Sequence, residues 1–101
     1  MQELEEPIEP AWGSVRLLDG EDPHTAFAED ARHWVRVYEQ LFHFRSEVLT
    51  RTRARLGTML PAAQHELKAE LAIMLRESER LYERLQYWQV RLKRLSPSPE
   101  A

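Results

Sequence analysis

Glu39, His43 and Glu47 recur every four residues. On a helix that spacing stacks two carboxylates and an imidazole on one side, a set able to hold a divalent cation. A buried dinuclear centre would need Glu-x-x-His pairs aimed inward from facing helices. Asp30-x-x-His33 comes near that pattern, and the second half of the chain has no matching pair. The row therefore reads as a solvated charge ladder, and no metal or other cofactor is expected. Ser14, Ser46 and Ser78 have no histidine and acid at usable spacing, there is no cysteine to act as nucleophile or thiolate ligand, and no glycine-rich loop could cradle a phosphate. These residues do not point to an enzyme.

The arginines are the other candidates for chemistry. Arg51 and Arg55 share a helix face, while Arg91, Lys93 and Arg94 cluster forty residues later. Nucleic acid calls for a continuous basic face. Glu39, Glu47, Glu77, Glu79 and Glu83 interrupt any such face here, so nucleic acid is not an expected partner. Charge is nevertheless uneven. Residues 1–22 carry seven acids against Arg16, and the rest of the chain has a small basic excess, within a net charge of −3. The first segment reads as a solvated, flexible acidic leader; the alternatives are that it docks on the basic body or holds polyanions away from it.

The elements that must position these groups are helices. With 31% charged and 43% hydrophobic residues, the chain is too apolar for full disorder and too charged for a membrane protein. No apolar run reaches the roughly 18 residues of a membrane span and no secretory signal is visible, so a cytoplasmic location is expected. Pro7, Pro10, Gly13 and Gly20 make residues 1–22 irregular. Asp22-Pro23 offers a cap and a first helical residue, with Thr25 as an alternative cap. From there Phe27, Ala31, Trp34, Tyr38, Leu41, Leu49 and Leu56 recur at helical spacing up to Gly57. Pro61 opens a second helix. Leu67, Leu71, Met74, Ser78, Leu81, Leu85, Trp88, Leu92 and Leu95 alternate four-three steps, the repeat of supercoiled helix packing. The expectation is an all-α, coiled-coil-like antiparallel hairpin with helices over about 23–56 and 61–95 and a disordered tail over 96–101. Trp34 and Trp88 should meet at its open end. Arg45 falls in the core stripe of the first helix, within reach of Glu70 or Glu77, where an ion pair could fix register.

Two helices share a single seam, yet the first carries more apolar surface than a seam needs, because Val37, Phe44 and Val48 flank it. Ile73 and Tyr87 add to the outer side of the second. A second buried surface is expected. Its simplest form is a homodimer closing a four-helix bundle through Val37, Phe44, Val48, Ile73 and Tyr87, with Trp12 as a further interface residue. The alternatives are a foreign protein partner and a leader folded back with Trp12, Leu17 and Leu18 over the extra face.

Glu29, Arg36 and Gln40 resemble part of the Glu-x3-Ser-x2-Arg-x3-Gln-x3-Asp row of helical-hairpin anti-sigma factors that bind cyclic dinucleotides. His33 and Phe44 stand where that row has Ser and Asp, and the second helix offers Glu77 and Arg84. The resemblance implies a transcription regulator that binds a protein partner and a nucleotide or other phosphorylated ligand, through Glu29, Arg36 and Gln40 with Arg51 and Arg55 nearby. The reading with more of the sequence behind it is a non-enzymatic interaction module, a homodimeric adaptor or regulator.

Overall fold

The computed structural model describes residues 17–96. It is an all-α hairpin of two helices, α1 (Ala28–Leu56) and α2 (Pro61–Leu95), packed against each other. At about 1.5 Å per residue they are about 44 and 52 Å long. Trp34 meets Trp88, Phe42 meets Tyr82, and Arg45 meets Glu77. The partner's number falls as the first rises, so the helices run antiparallel, as the short connection between them requires.

The turn follows from local chemistry. Leu56 ends α1, and the backbone N–H of Met59 and the side-chain amide of Gln64 both donate to its carbonyl. Thr58 donates to the Arg55 carbonyl through its hydroxyl and its N–H. Pro61 then takes the first position of α2, where its missing N–H costs nothing. Gly57 ends the helix in an ordinary right-handed conformation, φ −67°. A left-handed cap is not used.

α1 begins at Ala28, five residues after the position expected from Asp22-Pro23. The Asp22 carboxylate accepts the His24 N–H instead of capping a helix, and the chain turns between Asp22 and Thr25. The Thr25 hydroxyl accepts the Phe27 N–H and donates to Asp30, bracing the first turn of α1 from outside it. The turn wins over an early helix because it buries Glu21, Pro23 and Thr25 against the hairpin.

The tightly buried core sits at the open end. Ala31, Trp34, Tyr38, Leu85 and Trp88 form it, and Leu18 packs on it from the segment before α1. The Trp34 and Trp88 rings stack with centroids 6.4 Å apart. Toward the turn only half-buried residues continue the seam, apart from Leu49 and Ser78. Arg45 and Glu77 form the expected ion pair, but both side chains are 43% exposed, so the pair bridges the helices at one edge of the seam and not in the core.

Candidate interaction surface

Residues 17–27 close the open end through a buried polar cluster. Glu21 is 6% exposed. Its Oε1 accepts the Tyr38 hydroxyl at 2.8 Å and the Leu18 N–H at 2.9 Å, and its Oε2 accepts the Trp88 indole N–H at 2.8 Å. A carboxylate is tolerable there because three donors replace its water. Arg84, also buried, donates to the Tyr38 oxygen at 3.2 Å and places its guanidinium carbon 5.7 Å from the Tyr38 ring centroid. Burial pushes the Tyr38 phenol well above its usual range. The hydrogen bond to Glu21 and that residue's charge push the same way, while Arg84 pulls back. Farther out, the Tyr87 hydroxyl donates to the Pro23 carbonyl at 2.6 Å and Arg91 donates to the Thr25 carbonyl at 2.9 Å.

The cluster is structural in its chemistry: a carboxylate enclosed by donors has no open side for a substrate. In the sequence Glu21 reads as one more solvated acid of the leader. The signal that could have found it lies on the helices. A buried tryptophan N–H and a buried tyrosine O–H both need acceptors, and the α2 seam around Trp88 offers none.

The two long flanks of the hairpin differ in character. On one, the Phe42 and Tyr82 rings meet 5.3 Å apart over a cleft of about 490 Å³ rimmed by Glu79 and Glu83. At about 100° per residue, Val37, Leu41, Phe44 and Val48 lie on the opposite side of α1, in four-three-four steps. The matching row of α2 is Ile73, Glu77, Arg80, Arg84, Tyr87 and Arg91, the heptad row beside the seam. Its upper part is covered, since Pro23 and Thr25 lie over Tyr87 and Arg91, and Arg84 is buried against Tyr38. Its lower part is open. Phe44 is 62% exposed, Ile73 53% and Leu41 37%, with exposed Arg76 and Arg80 alongside.

The expected interface residues therefore separate. Phe44 and Ile73 are exposed on one flank, with half-buried Val48 between them and the seam. Val37 and Tyr87 are half-buried against the hairpin's own core, and Tyr87 is held by Pro23, so these two belong to the closed end. Trp12 lies outside the described residues. Glu29, Arg36, Gln40, Arg51 and Arg55 are all exposed on α1. Arg36 and Arg51 stand about 22 Å apart along the axis, too far for one small ligand to touch both. Among the described residues no three His, Asp or Glu side chains come together as a metal site, and no helix is long and apolar enough to cross a membrane. Comparison of the chain with protein-family models, with curated proteins and with solved structures gives no match.

Proposed function

We propose that the chain is a non-enzymatic protein–protein interaction module that docks a partner on the flank carrying Leu41, Phe44 and Ile73. The observation that carries this reading is the exposure of Phe44 and Ile73 beside Arg76 and Arg80, on the same helix rows that residues 17–27 cover higher up. Exposed apolar patches mark interaction sites, and phenylalanine and arginine are both enriched in protein interfaces. The partner chemistry that fits is a segment with both apolar side chains and carboxylates. A twofold homodimer through this flank would bury the same apolar groups, but it would also double the arginine charge at the contact, which favours a foreign acidic segment over a second copy.

Two measurements test the reading. Proteins captured from the native host should be lost with Phe44→Glu plus Ile73→Glu and kept with Leu75→Glu plus Tyr82→Glu on the opposite flank, with helicity unchanged in both. Equal capture by both pairs would remove the assignment of the face. Sedimentation over a range of concentrations should show a 12.0 kDa monomer; a dimer that the first pair dissociates would put a second copy in the partner's place.

A further inference from the structure

The open flank has a candidate occupant within the chain itself. Residues 1–16 contain Glu3, Glu5, Glu6 and Glu9 against Arg16, together with Leu4, Ile8, Trp12 and Val15. That is the mixture of carboxylates and apolar groups that Phe44, Ile73, Arg76 and Arg80 would accept. Leu17, where the described chain begins, is four residues before Glu21, which accepts from Tyr38 and Trp88 at the upper end of this flank. From the level of Leu85 down to Ile73 is twelve residues of α2, about 18 Å. Five or six extended residues cover that distance at about 3.3 Å each, so sixteen are ample. The contact would extend one that residues 17–27 have already made with the same heptad row.

We infer that residues 1–16 dock along the uncovered part of this flank, their apolar side chains on Phe44 and Ile73 and their glutamates beside Arg76 and Arg80. The inference rests on the proposed docking surface and adds its regulation: a partner reaches the surface by displacing the chain's own acidic segment. Such a segment binds as an intramolecular ligand at high effective concentration, so a competitor must be the better ligand or the segment must first be released. Loss of its acidic character would raise partner affinity, and added negative charge would lower it.

The chain has no cysteine, so a single nitroxide can be attached cleanly to Ala11→Cys in the full-length protein. With the label and uniform ¹⁵N and ¹³C on the same chain, the side-chain methyl groups of Leu41, Val48 and Ile73 should lose most of their intensity, while those of Leu75, on the opposite side of α2, keep more of theirs. Arg76→Glu plus Arg80→Glu should restore the lost signals. Equal broadening of both flanks, broadening confined to residues next to Leu17, or no recovery on charge reversal overturns the inference. So does broadening of a ¹⁵N chain by label carried only on other, unlabelled-isotope chains, which places a second copy there. The two ideas fail separately. If the label stays away but Phe44→Glu still abolishes capture, self-docking falls and the docking surface stands. If the label sits on the flank but capture ignores Phe44, the reverse holds.

Discussion

The open end of the hairpin and its turn half are built from the same two helices, yet they are stabilised differently. At the open end Ala31, Tyr38 and Trp88 have no solvent exposure at all. In the turn half Leu49 is the buried apolar residue, and Leu56, Leu67, Leu71 and Met74 are all half-exposed. The difference is a third layer. Residues 17–27 lie across both helices at the open end and supply Leu18 as packing and Glu21 as acceptor, whereas among the described residues nothing performs that service near the turn. Two helices alone make a seam; a third strip of chain turns part of that seam into a core.

Trp88 is where this contrast should show most strongly. It stacks on Trp34, meets Tyr87 edge-on and donates to Glu21. Trp88→Ala should cost about 3–5 kcal/mol in urea unfolding, as large-to-small changes of buried aromatics do. Glu21→Ala comes next, at about 3 kcal/mol, because it strands the Tyr38 hydroxyl, the Trp88 indole N–H and the Leu18 N–H in a dry site. Glu21→Gln should cost less than Glu21→Ala, since an amide keeps one acceptor oxygen where the carboxylate had two. If Glu21→Ala costs no more than a surface substitution, residues 17–27 are not a third layer.

Tyr38 makes the contrast visible in pH. Its phenol is raised in the folded state, first by burial and then by Glu21, while in the unfolded chain it titrates near 10. A raised folded value means that stability is fully present below about pH 10 and is lost as pH climbs from there toward the folded value, by up to about 1.4 kcal/mol per pH unit. Tyr38→Phe should flatten that part of the profile relative to the native chain. Identical alkaline slopes for the two proteins would mean that the hydroxyl is not held between Glu21 and Arg84.

The turn half should respond less. Leu49→Ala should cost about 2 kcal/mol, the lower end for a buried leucine, because its surroundings are half-open. Phe44→Ala, whose ring is 62% exposed on the hairpin, should cost no more than about 0.5 kcal/mol through the hairpin's own packing. Any larger loss at Phe44 measures what residues 1–16 or a second copy bury on the ring.

Much of this is legible from residue order. The Leu67-to-Leu95 repeat marks α2 because a 3.5-residue period has no other simple reading, and Gly57 with Pro61 marks the turn. The antiparallel direction, the Trp34–Trp88 contact and the Arg45–Glu77 pair follow from folding those repeats together. The start of α1 does not follow. Asp22-Pro23 satisfies every local rule for a helix start, but those rules do not register that Tyr87 and Arg91, more than sixty residues away, hold the Pro23 and Thr25 carbonyls. The role of Glu21 is hidden for the same reason. Its sequence neighbours Asp19 and Asp22 are exposed acids, and only the partners on α1 and α2 make it different. Periodicity puts Val37 and Tyr87 beside the seam, but it carries no information about what covers that side.

A last small effect contrasts the two ends through one substitution made twice. Gly20 sits in the turn that delivers Glu21 to the core, with φ +83°, where a side chain is strained even though nothing stands within 4 Å of a new Cβ. Gly20→Ala should therefore cost about 1 kcal/mol. Gly57, at the other end, has an ordinary right-handed φ of −67° and equally open surroundings. There an added methyl group meets nothing in the folded state and narrows the unfolded ensemble, so Gly57→Ala should stabilise the protein by about 0.5 kcal/mol. Thermal unfolding of the two variants side by side should show Tm moving down for the first and up for the second. A fall at Gly57 would mean that the chain leaves α1 through a left-handed residue in solution, and that both ends of the hairpin depend on a glycine in the same way.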